Sequence, residues 1–420
     1  METNLAPFIR DTPEGREADS VLRACVHCGF CLATCPTYQL LGDELDGPRG
    51  RIYLIKQVLE GATPTATTQL HLDRCLTCRA CETTCPSGVQ YGRLVDIGRK
   101  IVDERVGRKP VDAARRYSLR KSLLSKSVFG TALVVGRFAK GLLPREIGDR
   151  IPAAIPAGAW PSPHHTRRML IARGCVQPSL APNIDAAMAR VLDRIGISAL
   201  QIEAGGCCGA LSYHLSEDDD ARDIVRRNID AWWPHVEHGA DAIVVTASGC
   251  GVMVKDYGHV MAQDPAYAEK AAKIGALARD PSEIVGAAWE QLTAKIKPAD
   301  IPTKLAFHSP CTLQHGMKIR GEVEPVLEAL GFELTPVADA HLCCGSAGTY
   351  SVLQPELANA LKANKLRALE AGGPTQIATA NIGCLTHLAS GTRTPVRHWI
   401  EILDERLTEG TSEQLPRGAR

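Results

Sequence analysis

Cys25-Val26-His27-Cys28-Gly29-Phe30-Cys31-Leu32-Ala33-Thr34-Cys35-Pro36 decides how this chain is read, because the pattern occurs twice. The second copy is Cys75-Leu76-Thr77-Cys78-Arg79-Ala80-Cys81-Glu82-Thr83-Thr84-Cys85-Pro86. Both read C-x2-C-x2-C-x3-C-P, the ligand run of two-cluster bacterial ferredoxins. A cubane [4Fe-4S] cluster needs four thiolates converging on one small volume, and two-residue gaps let a single tight turn supply three of them. In two-cluster ferredoxins the fourth cysteine of each run serves the other cluster. The spacing therefore assigns Cys25, Cys28, Cys31 and Cys85 to one [4Fe-4S] cluster, and Cys75, Cys78, Cys81 and Cys35 to a second. A zinc ribbon uses separate C-x2-C pairs, and a disulfide framework needs an oxidising compartment. The pattern points to a carrier of electrons.

Composition sets the surroundings of these motifs. At 420 residues the chain is long enough for two or three domains. A formal charge of +1 argues against a nucleic-acid partner. Sixteen cysteines exceed what packing requires. The first residues lack a basic segment followed by an apolar one, so no signal peptide is expected, and no apolar run is long enough to span a membrane. The cysteines are accordingly expected in a reducing cytoplasm, as metal or redox ligands.

The expected fold class is α+β and multidomain. Residues 1–104 form an α-helical ferredoxin-like domain, in which Arg51 to Glu60 has helical apolar spacing at Ile52, Ile55, Val58 and Leu59. Residues 105–166 form a connector. Between 105 and 150 it carries twelve Lys and Arg (among them Arg115, Arg116, Arg120, Lys121, Arg145 and Arg150) against Asp112, Glu146 and Asp149. An apolar stretch, Val128 to Leu143, lies inside this cationic region, and a Pro-rich linker at 151–163 follows it.

The remainder is a repeat, 167–290 and then 291–404, with a tail at 405–420. Cys175 and Cys207 are 32 positions apart, as are Cys311 and Cys343. Each second member opens a Cys-Cys-Gly turn, Cys207-Cys208-Gly209 and Cys343-Cys344-Gly345, and Cys250 and Cys384 follow. Short apolar runs at Met169–Ala172, Ala199–Ile202 and Ala242–Thr246, and at Lys304–Phe307, Glu333–Val337 and Gln376–Thr379, predict strands. Helical patterns at Asn183–Ile195 and Glu322–Leu330 separate them. This alternation predicts parallel sheets covered by helices, whose strand carboxyl ends meet at one rim. Each rim would gather four cysteines as a candidate metal or redox site: Cys175, Cys207, Cys208 and Cys250, and Cys311, Cys343, Cys344 and Cys384.

The double cluster motif followed by two Cys-Cys-Gly repeats resembles the family of heterodisulfide reductase subunits and anaerobic glycerol-3-phosphate dehydrogenase small subunits. It resembles most closely the glycolate oxidase (glycolate dehydrogenase) iron–sulfur subunits. The residues that carry this are 24–61, 71–89, 228–234 (NIDAWWP), 341–350 (HLCCGSAGTY) and 379–402. The resemblance implies two [4Fe-4S] clusters, with room for a further iron–sulfur cluster in the repeats. It implies FAD-containing flavoprotein subunits that oxidise glycolate to glyoxylate, a quinone or other respiratory acceptor, and a peripheral place on the cytoplasmic face of the inner membrane. The chain has no G-x-G-x-x-G loop after a strand, so no catalytic or nucleotide-binding residue of its own is expected. The alternative is a heterodisulfide or quinone reductase-type subunit, or the small subunit of another 2-hydroxyacid or glycerol-3-phosphate dehydrogenase. Related repeats end in C-x2-C, where this chain has Met253 and His387.

Several residues carry two readings. His387 could complete a metal site or be a hydrogen-bonded polar residue. His27 could tune a cluster or face solvent. Asp46 to Arg51 could be a partner-docking turn or the start of a helix. Trp232, Trp233 and Trp399 read as core or interface aromatics. The cationic connector suits either an anionic membrane surface or an acidic flavoprotein partner.

Overall fold

The computed structural model describes residues 1–142, 153–296 and 303–411. Helices build its first part. Pro13–Ala24, Pro48–Leu59 and Ala66–Asp73 all pack against Tyr91–Val106. The helix expected from Arg51 begins at Pro48, whose fixed φ suits a first helical turn. Ile52, Ile55, Val58 and Leu59 form its buried stripe, against Leu22, Leu94 and Val95. The helices approach closely at Gly98, where a Cβ would meet Ile55 Cγ1 at 2.6 Å.

The two cysteine loops share an unusual backbone. His27 and Gly29 flank Cys28 with φ of 57° and 87°, and Thr77 and Arg79 flank Cys78 with φ of 52° and 58°. Three of these four are not glycine, and each such conformation costs about 1–3 kcal/mol. The chain spends that energy to turn tightly enough for three thiols to face inward. Pro36 then starts the helix Pro36–Leu41, and the chain leaves each loop in an extended conformation at Cys35 and Cys85.

The repeats form two four-stranded, all-parallel sheets. In the first, β1 (Arg167–Ile171), β2 (Ile197–Gln201), β3 (Ala242–Val244) and β4 (Ala278–Arg279) lie in the order β2-β1-β3-β4. In the second, β5 (Thr303–His308), β6 (Phe332–Leu334), β7 (Gln376–Thr379) and β8 (Val396–His398) repeat that order as β6-β5-β7-β8. Leu170, Ile171, Ile243, Leu305, Ala306 and Ile377 are buried, as strands covered on both faces must be. Each sheet has a short edge strand, β4 or β8, that the sequence pattern did not indicate.

The two sheets share one hydrophobic core that includes Ile184, Val244, Leu305, Phe307, Trp399 and Ile400. Arg190 and Arg194 of the first repeat both bind Asp404 of the second, at 2.7 and 3.0 Å. Among the described residues no helix is long and apolar enough to cross a membrane.

Candidate metal centres

The loops bring the motif cysteines together crosswise. Cys25, Cys28, Cys31 and Cys85 line one pocket with Val26, His27 and Phe30. Cys35, Cys75, Cys78 and Cys81 line the next with Thr37 and Arg51. Cys81 and Tyr91 stand on the wall between them, lining both. The first pocket faces outward: Cys28 is exposed, and Val26 and Phe30 are 66% and 61% exposed. His27 Nε2 is buried there without a protein partner, which suits a hydrogen bond to an inorganic or cysteine sulfur.

The donor chemistry fits iron–sulfur clusters. All sixteen cysteines are free thiols, and thiolates are the ligands such clusters take. Burial, followed by the neighbouring Cys78 and Cys75, pushes the Cys81 thiol well above its ordinary range. Burial likewise raises Cys31, to about 11. A bound metal deprotonates the thiols it takes as ligands.

The second pocket is electrostatically distinct. Burial pushes Cys75 up, but the Arg51 and Arg99 guanidiniums and the Tyr91 hydroxyl outweigh it and hold the thiol below its ordinary range. Tyr91 donates to Cys75 Sγ at 3.5 Å, the Thr77 amide donates to it at 3.4 Å, and the Thr37 hydroxyl lies 3.3 Å from Cys35 Sγ. Arg51 is 1% exposed. It donates to the His71 carbonyl at 2.7 Å and to Thr37 Oγ1 at 3.1 Å, and pairs with buried Asp46 at 3.3 Å. Asp46 also receives His71 Nδ1 at 3.0 Å and Arg74 at 2.8 Å. Of the two readings of Asp46 to Arg51, the start of a helix is the one seen, since Pro48–Leu59 begins there and Asp46 and Arg51 pair inside the fold. A buried charge needs such partners.

This second pocket abuts the second repeat. Leu76 and Cys78 pack with Cys311, Cys343 and Tyr350. Burial and then the neighbouring Cys311 push the Cys78 thiol well above its ordinary range. Tyr350 donates to the Arg74 carbonyl at 3.1 Å, and Thr83 Oγ1 meets His315 Nδ1 at 2.9 Å.

Each repeat gathers its four cysteines where its strands end. In the first, Cys175, Cys208 and Cys250 line a pocket with Trp232, Ala172 and Val245, and Cys207 is the hydrogen-bonded neighbour of Cys175. In the second, Cys311 and Cys343 Sγ are 3.8 Å apart. One ring nitrogen of His308 and the sulfurs of Cys344 and Cys384 all lie within 4.8 Å of one another. Burial drives the His308 imidazole down to about 3, so it is neutral. His387 instead meets the Ala358 carbonyl through Nε2 at 3.3 Å, the hydrogen-bonded alternative of its two readings. Sequence reasoning missed His308. The signal available was its place three residues before Cys311, where the first repeat has Ala172.

The connector forms two helices, Pro110–Leu124 and Lys126–Ala139. Four of its described cations are engaged with the rest of the protein. Arg116 pairs with Asp73 and Asp112, Arg120 with Glu217 and Asp220, and Lys121 with Asp220. Arg115 donates to the Val352 carbonyl. Leu143, Arg145, Glu146, Asp149 and Arg150 lie outside the described residues, as do 412–420. Trp232 and Trp399 are buried, while Trp233 lies under the Lys270 ammonium at 5.3 Å.

Residues 21–89 match the family model of the 4Fe-4S dicluster domain, and residues 170–255 and 305–389 each match that of the cysteine-rich domain. The chain is 55% identical over 408 residues to the glycolate oxidase iron-sulfur subunit of Escherichia coli (strain K12), a match spanning 97% of this chain and 99% of that one. It is 27% identical over 416 residues to the probable glycolate oxidase iron-sulfur subunit of Bacillus subtilis (strain 168), spanning 90% of both. It is 26% identical over 370 residues to a subunit of the fumarate reductase (CoM/CoB) of Methanothermobacter marburgensis, spanning 86% of this chain and 66% of that one. Motif, geometry and comparison agree on an iron–sulfur protein.

Proposed function

The chain belongs to the glycolate oxidase iron–sulfur subunit family, and we propose that it carries electrons from a glycolate-oxidising flavoprotein partner to a respiratory quinone. Oxidation of glycolate to glyoxylate releases two electrons and two protons. A flavin takes the pair together, whereas a cubane [4Fe-4S] cluster exchanges one electron at a time. Cys25, Cys28, Cys31 and Cys85 hold one cluster in this reading, and Cys35, Cys75, Cys78 and Cys81 hold the other. The observation that carries it is the pair of adjacent thiol pockets sharing the wall of Cys81 and Tyr91. The repeat cysteines offer a further iron–sulfur site on the far side of Cys78.

Substrate oxidation then resides in the partner. The chain freed of flavin should reduce no dye with glycolate, and activity should return when FAD-containing subunits are added. Glycolate-dependent dye reduction by the isolated chain would refute the assignment.

A peripheral membrane contact fits the same role, through apolar rather than basic residues. On the helix Lys126–Ala139, Val128, Val134, Val135 and Phe138 are exposed, Phe138 by 88%. Such side chains sink into the headgroup boundary without spanning it. Phe138→Glu should abolish flotation of the chain with anionic liposomes. No flotation of the unaltered chain at low salt would reject the membrane reading and leave docking of the flavoprotein partner.

A further inference from the structure

The two repeats share one strand order and differ beside their cysteines. In the first sheet β1 and β3 are in register with Ile171 opposite Val244, and the next step of each strand brings Ala172 and Val245 to the thiol pocket. Both are apolar. In the second sheet the corresponding pair is His308 opposite Thr379. His308 Nδ1 lies 2.9 Å from Thr379 Oγ1, and both residues are buried. A histidine with a ring nitrogen within 4.8 Å of two buried thiols, and with a hydroxyl 2.9 Å from Nδ1, has the donors of a metal ligand that a partner hydrogen bond can orient.

Two further features separate the repeats at this point. After Cys311 the chain winds as a π-helix, Thr312–Gly316, whereas after Cys175 it forms an α-turn, Gln177–Leu180. Single π-turns are concentrated at functional sites. Lys365 is buried and donates to the carbonyls of Asp339 at 2.8 Å and Ala340 at 3.4 Å. It thereby ties the helix Pro355–Glu370 to the turn that leads into Cys343.

We propose that the second repeat holds an iron–sulfur centre on Cys311, Cys343, Cys344 and Cys384, with His308 as a nitrogen ligand that the first repeat lacks. This rests on the iron–sulfur reading of the repeats given above. Imidazole in place of thiolate raises the potential of such a centre, which suits a station lying beyond Cys78.

The test uses the full chain, purified without oxygen and grown with 15N-histidine. Iron, zinc and sulfide are counted, and pulsed EPR reads nitrogen coupling. The unaltered chain should hold more than the roughly eight iron of two [4Fe-4S] clusters, with one signal coupled to a histidine nitrogen. Cys344→Ala should bring the iron down to that level while the signals of the N-terminal motifs persist, which also shows that the chain has folded. His308→Ala should lose the nitrogen coupling and the additional iron. His308→Cys should keep the iron, lose the coupling and lower the midpoint potential of that signal. Iron unchanged in Cys344→Ala, or zinc replacing iron, would overturn the premise that the repeat is an iron–sulfur site. Iron lost in Cys344→Ala, with iron and spectrum unchanged in His308→Ala, would overturn the histidine assignment alone.

Discussion

The first cysteine-rich repeat meets the ferredoxin-like helices through charge. Arg79 and Arg93 both hold Asp256, at 3.0 and 2.9 Å, Lys100 reaches Asp218 at 3.1 Å, and His214 faces Asp96 at 3.3 Å. The second repeat meets them with apolar side chains and thiols: Leu76 and Cys78 against Cys311, Cys343, Tyr350 and Leu361. Both repeats have the same strand order and the same cysteine spacing. Duplication thus supplied two similar rims, and the contacts around each separate a supporting copy from one placed beside the second motif. Electron transfer weakens steeply with distance, so the rim whose cysteines pack in one cluster with Cys78 is the one suited to carrying current.

The comparison breaks most visibly at the junction. Cys78→Ser should remove the cluster on Cys35, Cys75 and Cys81 and stop electron flow from flavoprotein to acceptor. Full turnover with that cluster confirmed lost would show that electrons need not pass this point. A smaller effect is expected from Arg51→Met. The guanidinium favours the more negative, reduced state of the neighbouring cluster, so its loss should lower that midpoint by on the order of 60 mV, a tenfold change in a one-electron equilibrium. Arg51→Lys keeps the charge against Asp46 and should retain most of the potential. A redox titration in which Met and Lys behave alike would remove charge as the cause.

The polar interface should be mechanically useful and electronically silent. Asp256→Ala should cost about 1 kcal/mol of stability, measured as a shift in the denaturant midpoint, with turnover unchanged. A loss of turnover in this variant would give the first repeat a part in the current. The effect furthest from the current concerns the interior of the first repeat. Burial raises the Asp185 carboxyl to about 7, against hydrogen bonds from Thr246 and Gln177 that favour its ionised form. As pH rises from about 4 to about 7, the unfolded chain has already released this proton and the folded one retains it, so stability falls across that range. Asp185→Asn should flatten that part of the profile, as followed by thermal unfolding at several pH values.

The parts of this molecule that were legible in the sequence are those set by local spacing. Two-residue gaps between cysteines are sufficient to describe a loop that turns around a metal. Apolar runs such as Met169–Ala172 are sufficient to describe a strand buried on both faces. Edge strands of two or three residues, Ala278–Arg279 and Val396–His398, have no period to detect. The partners of the charged residues are hidden for a different reason. Arg116, Arg120 and Lys121 find Asp73, Glu217 and Asp220 far along the chain, and Arg51 and Asp46 close on each other inside the fold. Local charge density says nothing about such partners. His308 stayed hidden because its meaning depends on the register of β5 against β7.

The central claim is that the motif cysteines hold two clusters crosswise, and EPR of single-cysteine variants on anaerobically purified protein tests it most directly. Cys28→Ser and Cys85→Ser should erase one and the same [4Fe-4S] signal, although they belong to different motifs. Cys35→Ser and Cys78→Ser should erase the other. If Cys28→Ser and Cys35→Ser erase the same signal instead, each motif holds its own cluster and the crosswise account is contradicted.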